Sequence, residues 1–99
     1  MTPDECHQVL DAEIGNILDR YHCGYIGLDK VKKRLAGVFG DPEDARLHND
    51  LFVYLGRVMD QNRFGEISAD ALRVDLVRMA ALAKTDAALF VDHIWREHD

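Results

Sequence analysis

The sequence predicts an all-α protein, a compact four- or five-helix bundle built of two helix-turn-helix units. Three observations predict it. Apolar residues recur at helical spacing through every long segment, and no stretch sustains the period-two alternation of a half-buried strand. Most of the glycines, both prolines and the capping residues fall between the periodic segments. With 99 residues and an apolar fraction of 47%, one helical domain over 1–99 is expected, large enough to bury a core without staples.

The first helix is expected over 3–22. Thr2, Pro3 and Glu5 read as a capping box with proline at the first helical position. Leu10, Ile14, Ile17, Leu18 and Tyr21 form its apolar stripe, and Gly15 is read as the mark of a close helix contact. Gly24 ends it. The second helix is expected over 28–39, with Val31, Leu35, Val38 and Phe39 inward and Lys30, Lys32, Lys33 and Arg34 on the other side. Gly40 reads as the residue just past its end.

In the third helix Asp41 is the expected cap, Pro42 takes the first position, and Glu43 and Asp44 complement the dipole. Leu47, Leu51, Tyr54, Leu55, Val58 and Met59 carry its stripe to about 61. Ser68 caps the fourth, whose inner face is Leu72, Leu76, Met79, Ala80 and Ala83. Thr85 is the expected cap of a fifth, with Phe90, Val91, Ile94 and Trp95 inside. One long helix over 69–97 is the alternative, and a break is preferred.

Two turns share a pattern. "GYIGLDKV" at 24–31 and "GEISADAL" at 65–72 both read G-x-I-x-x-D-x-[V/L], offset by 41 residues. Taken as twelve-residue loops from Asp19 and Asp60, each has glycine at position six and isoleucine at position eight. In this the chain resembles the EF-hand family, which implies two paired helix-loop-helix hands. Position twelve, an acid in that family, is Lys30 in one loop and Ala71 in the other; positions three and five are Tyr21 and Cys23, then Asn62 and Phe64. Calcium takes about six to eight oxygens, and neither loop supplies enough. The same letters describe a turn and a cap. Gly65 allows a left-handed residue, Ser68 starts the next helix, and Ile67 staples onto Leu72; Ile26, Gly27 and Val31 repeat this in the first copy.

Other chemistry is sparse. Cys6-His7 and His22-Cys23 look like halves of a zinc site, but a continuous first helix holds them roughly 22 Å apart. The 93–98 stretch "HIWREH" has one residue too many for H-x-x-E-H. Ser68, Thr2 and Thr85 are cap candidates, and no glycine-rich phosphate loop occurs. The expectation is therefore a non-enzyme with no cofactor and no metal. Cys6 and Cys23 stand about 25 Å apart along a helix, beyond the roughly 7 Å reach of a disulfide. Free thiols, no membrane-length apolar run and no leader make a cytoplasmic protein the expectation.

Charge says more. The net charge is -6, which disfavours direct nucleic-acid or membrane binding. Residues 1–19 carry five acids and no base, 20–40 five bases and one acid, and 41–50 four acids and one base. These blocks lead to a small acidic protein-binding module of inhibitor or immunity and anti-defence type. It would dock Asp4, Glu5, Asp11, Glu13, Asp41, Glu43 and Asp44 on a protein partner with a basic surface. It resembles bacteriocin immunity proteins and phage anti-defence inhibitors in kind, without a motif of either. Tyr21, Tyr25, Phe64 and Trp95 are the aromatic anchor candidates. The alternatives are a degenerate EF-hand-like pair with weak or no calcium binding, and a structural homo-oligomer such as a homodimer.

Overall fold

Among the described residues five helices follow one another: α1 (Pro3–His22), α2 (Leu28–Val38), α3 (Ala45–Arg63), α4 (Ala69–Thr85) and α5 (Ala87–His98). The computed structural model describes the backbone of residues 3–98 and the side chains of residues 5–96. Thr2, expected to cap α1, and the carboxylate of Asp4 lie outside the described residues.

Three helices stop in the same way. Gly24, Gly40 and Gly65 have φ of 83°, 98° and 80°. At each, the glycine N–H donates to the carbonyl three residues back: Tyr21, Gly37 and Asn62. The next residue's N–H donates to the carbonyl five back: Tyr25 to Arg20, Asp41 to Ala36, and Glu66 to Gln61. This double closure satisfies the last carbonyls of the helix, and a side chain at the left-handed position costs about 1–2 kcal/mol.

The starts differ more. Ser68 caps α4 as expected, its hydroxyl accepting from the Ala71 N–H at 3.1 Å. Gly27 begins α2 without any side-chain cap. α3 starts at Ala45, not at Pro42 as the sequence suggested. Asp41 is not its cap: it belongs to the turn that closes α2, with φ 42°. The turn that closes α2 holds Asp41 in left-handed backbone with its N–H on the Ala36 carbonyl, whereas a capping residue takes the extended backbone that Asp44 has. Asp44 caps instead, accepting from the Leu47 N–H at 3.0 Å. A break does separate α4 from α5, one residue later than expected. Asp86 leaves helical geometry and accepts from the Leu89 N–H at 3.1 Å, while the Thr85 hydroxyl turns back to the Ala81 carbonyl.

The core draws on every helix. Leu10, Ile14 and Leu18 of α1 are buried with Val31 and Leu35 of α2, Leu51, Leu55 and Met59 of α3, Leu72 and Leu76 of α4, and Phe90 and Ile94 of α5. α1 packs on α4 and α2, α2 on α3, and α5 covers α3 and α4. Phe39 stacks on Phe90 at 5.7 Å between ring centres. Tyr54 donates its hydroxyl to Asp75 at 3.1 Å, joining α3 to α4. Trp95, expected inside, is at the rim and 36% exposed, with the Arg46 guanidinium 5.1 Å from its ring.

The two repeated turns are tied together. His22 Nε2 lies 3.1 Å from the Asn62 side-chain oxygen. The Asn62 amide nitrogen donates to the Ile67 carbonyl at 3.2 Å. That bond orients the amide, so the oxygen accepts and His22 donates from Nε2.

The two turns separate backbone strain from helix capping. Gly65→Ala is expected to lose about 1–2 kcal/mol. Gly27→Ser, at φ −86° with nothing within 4 Å of an added Cβ, is expected to gain a few tenths of a kcal/mol. Urea midpoints measure both, and shifts of one sign for the pair would contradict this account of the turns.

Candidate functional site

The contact between α1 and α4 is built around a missing side chain. Gly15 is buried in the middle of α1. A Cβ placed there would sit 2.8 Å from Cζ of Arg73, which reaches across from α4. Because that space is free, the guanidinium lies against α1 and meets Asp11, one helical turn before Gly15. Nε donates to one Asp11 oxygen at 2.8 Å and Nη2 to the other at 2.7 Å. This fork matches the planar guanidinium to the carboxylate. The hydrogen bonds from Arg73 hold the Asp11 carboxyl below its ordinary value of 3.8, against an opposing effect of desolvation. The same bonds hold Arg73 above its ordinary value.

Beside this pair runs an open groove of about 460 Å³, lined by His7, Gln8 and Asp11 of α1 and Val74, Val77 and Arg78 of α4. Val74 is 56% exposed. The groove thus has an aliphatic floor between polar and charged edges. On the solvent face of α1, Glu5, Val9 and Glu13 are exposed.

Of the seven carboxylates expected at the partner contact, the six that are described have different situations. Asp11 is half-exposed and held by Arg73. Glu5 and Glu13 stand on the outer face of α1. Asp41, Glu43 and Asp44 are exposed on the connection between α2 and α3, where Asp44 is occupied as a helix cap. Of the aromatic candidates, Tyr25 is 82% and Phe64 72% exposed, whereas Tyr21 is half-buried.

Sequence reasoning missed Arg73, Val74, Val77 and Arg78. A glycine inside a helix four residues after an aspartate was the available signal; its partner lies 62 residues from Asp11.

The remaining polar groups do not converge. Among the described residues no three His, Cys, Asp or Glu side chains are grouped as metal ligands would be. Both ends of the Asn62 amide are engaged by His22 and Ile67. Cys6 is half-buried in α1, Cys23 is exposed in the turn after it, and both thiols are free. The 93–98 pattern runs past the last described side chains, because those of Glu97 and His98 lie outside them. No helix among the described residues is long and apolar enough to cross a membrane. No family model, curated protein or solved structure matches the chain.

Two measurements check the α1–α4 lock. Alanine at 15 favours the helix by about 0.5–1 kcal/mol over glycine, but displaces Arg73. Gly15→Ala is therefore expected to stabilise the Arg73→Ala protein by about that amount and the wild type by less. Additive effects would show that Arg73 does not depend on the slot. The acid profile is the second check. A carboxyl whose folded pKa is depressed contributes fully above its unfolded value, about 3.9, and loses that contribution as pH falls through the folded value. Melting temperature should drop more steeply below about pH 4 in the wild type than in Asp11→Asn.

Proposed function

We propose that the protein is a non-enzymatic binding module that receives a basic, amphipathic segment of a protein partner along α1 and the groove beside it. The observation that carries this reading is the exposed aliphatic surface of Val74, continued by Val77, beside the Asp11 carboxylate in the groove. An apolar centre with a polar rim is the usual anatomy of a protein contact. Carboxylates at the edge would speed association and select a cationic partner.

Val74 and Val77 would take the apolar side chains of the segment. Glu5 and Glu13, exposed on another face of α1, would attract its cations at longer range. Asp11 would act chiefly by holding α4 in place through Arg73. The net charge of -6 supports an inhibitor of the immunity or anti-defence kind, in which an acidic surface competes with a polyanion for a basic groove. The acids of 41–44 would add long-range attraction. Free thiols fit a reducing, cytoplasmic setting for this encounter.

Site-specific photo-crosslinking tests the surface. A crosslinker at Val74 or Gln8 is expected to trap the same protein in the native cell, and one at Lys33 is not. The yield should fall with salt and with Glu13→Lys or Val74→Asp. Capture of a second copy of the chain at Val74, with a matching dimer in sedimentation, would replace this reading with a homo-oligomer. Equal yields from all three positions would remove the surface altogether.

A further inference from the structure

A second cleft, of opposite sign, opens at the first turn. It measures about 470 Å³ and is lined by Arg20, Tyr25, Ile26, Lys30 and Arg34. We propose that this cleft binds a mononucleotide, with its phosphates on Arg20, Lys30 and Arg34 and its base on the ring of Tyr25.

The charges there are unbalanced. Lys30 and Arg34 are one turn apart on α2, a spacing at which like charges destabilise a helix. Among the described residues no carboxylate forms an ion pair with Arg20, Lys30 or Arg34. The one acid of α2, Asp29, lies 3.9 Å from Lys32 instead. Three cations held near one another without a counter-charge favour an anion between them, and a guanidinium matches phosphate oxygens in a fork.

The ring is as informative as the charges. Tyr25 is 82% exposed, the most of any large apolar or aromatic side chain described. Its backbone is nevertheless rigid, because its N–H closes the α1 terminus on the Arg20 carbonyl at 2.9 Å. Ile26 beside it is buried in the core and anchors the floor of the cleft. An exposed ring next to cations, on a backbone position held by the helix terminus, offers a platform for a base, which stacks through its flat face.

The scale of the patch selects the ligand. A cleft of this volume lies in the range of about 300–1,000 Å³ that suits small molecules. A polynucleotide would extend beyond the three cations into the field of an acidic protein of net charge -6, which repels it. One to three phosphates remain within reach of the basic side chains.

Titration of the isotope-labelled full chain, followed by backbone amide shifts, tests the proposal. The probes are ADP, GDP, pyrophosphate, adenosine and a short single-stranded oligonucleotide. ADP or GDP is expected to give saturable shifts confined to residues around 20, 25, 30 and 34. Pyrophosphate should bind more weakly and adenosine not measurably. Lys30→Glu with Arg34→Glu should weaken nucleotide binding at least about tenfold, as loss of charge-assisted hydrogen bonds does. Tyr25→Ser should weaken it at least about fivefold, in line with loss of a stacked base. Circular dichroism confirms that these surface variants fold. The proposal is overturned if no nucleotide saturates at millimolar concentration, if pyrophosphate binds as well as ADP, or if the oligonucleotide binds more tightly than ADP. None of the residues involved lines the α1–α4 groove, so the outcome is independent of the protein-binding reading.

Discussion

Everything in this fold rests on the contact of α1 with α4. Each helix-turn-helix unit leaves an apolar stripe that its own partner helix cannot cover. Ile14 and Leu18 on one side and Leu72 and Leu76 on the other reach full burial only when all the helices close on one another. Gly15 permits a close approach at the centre of that seam, and Arg73 crosses it to Asp11. The glycine works against helix formation by about 0.5–1 kcal/mol. It is tolerated because a methyl group there would stand where the guanidinium lies. The position is therefore better understood as the slot that seats the Arg73–Asp11 ion pair than as a weak point in a helix.

The parts of the fold that were legible in the sequence are those governed by short-range rules. Gly65 ends α3, Ile67 lies half-buried against the core, and Ser68 starts α4. All three follow from backbone geometry within a few residues. Difficulty arises where two local rules claim the same residues. Asp41-Pro42 has the letters of a helix start, but Gly40 recruits the Asp41 N–H to finish α2, and the start moves to Asp44. At the α4–α5 break Thr85 and Asp86 compete for one capping role, and the carboxylate takes it. The ion pair and the groove were not legible, since both join residues of α1 to residues of α4 that only the packing brings together.

The equivalence of the repeated turns is architectural. His22 and Asn62 occupy corresponding ends of α1 and α3, and their hydrogen bond brings the two turns side by side. The copies then diverge at the surface. The second turn caps its helix with Ser68, while the first has Gly27 there and surrounds it with Arg20, Tyr25 and Lys30. A common scaffold thus carries a basic, ring-bearing rim on one copy only.

Net charge alone does not locate the charged surfaces of such a molecule, because the charge of -6 averages over opposite blocks. Glu5 and Arg20 both belong to α1, fifteen residues apart along a helix that rises about 1.5 Å per residue. That is roughly 22 Å, more than twice the screening length of about 8 Å at physiological salt. The acidic and basic ends of α1 therefore act on ligands independently in the cell. At low ionic strength, where the screening length approaches 30 Å, their fields overlap and partly cancel. A cationic segment approaching the groove and an anion approaching the first turn should then each gain less from dilution than isolated patches would.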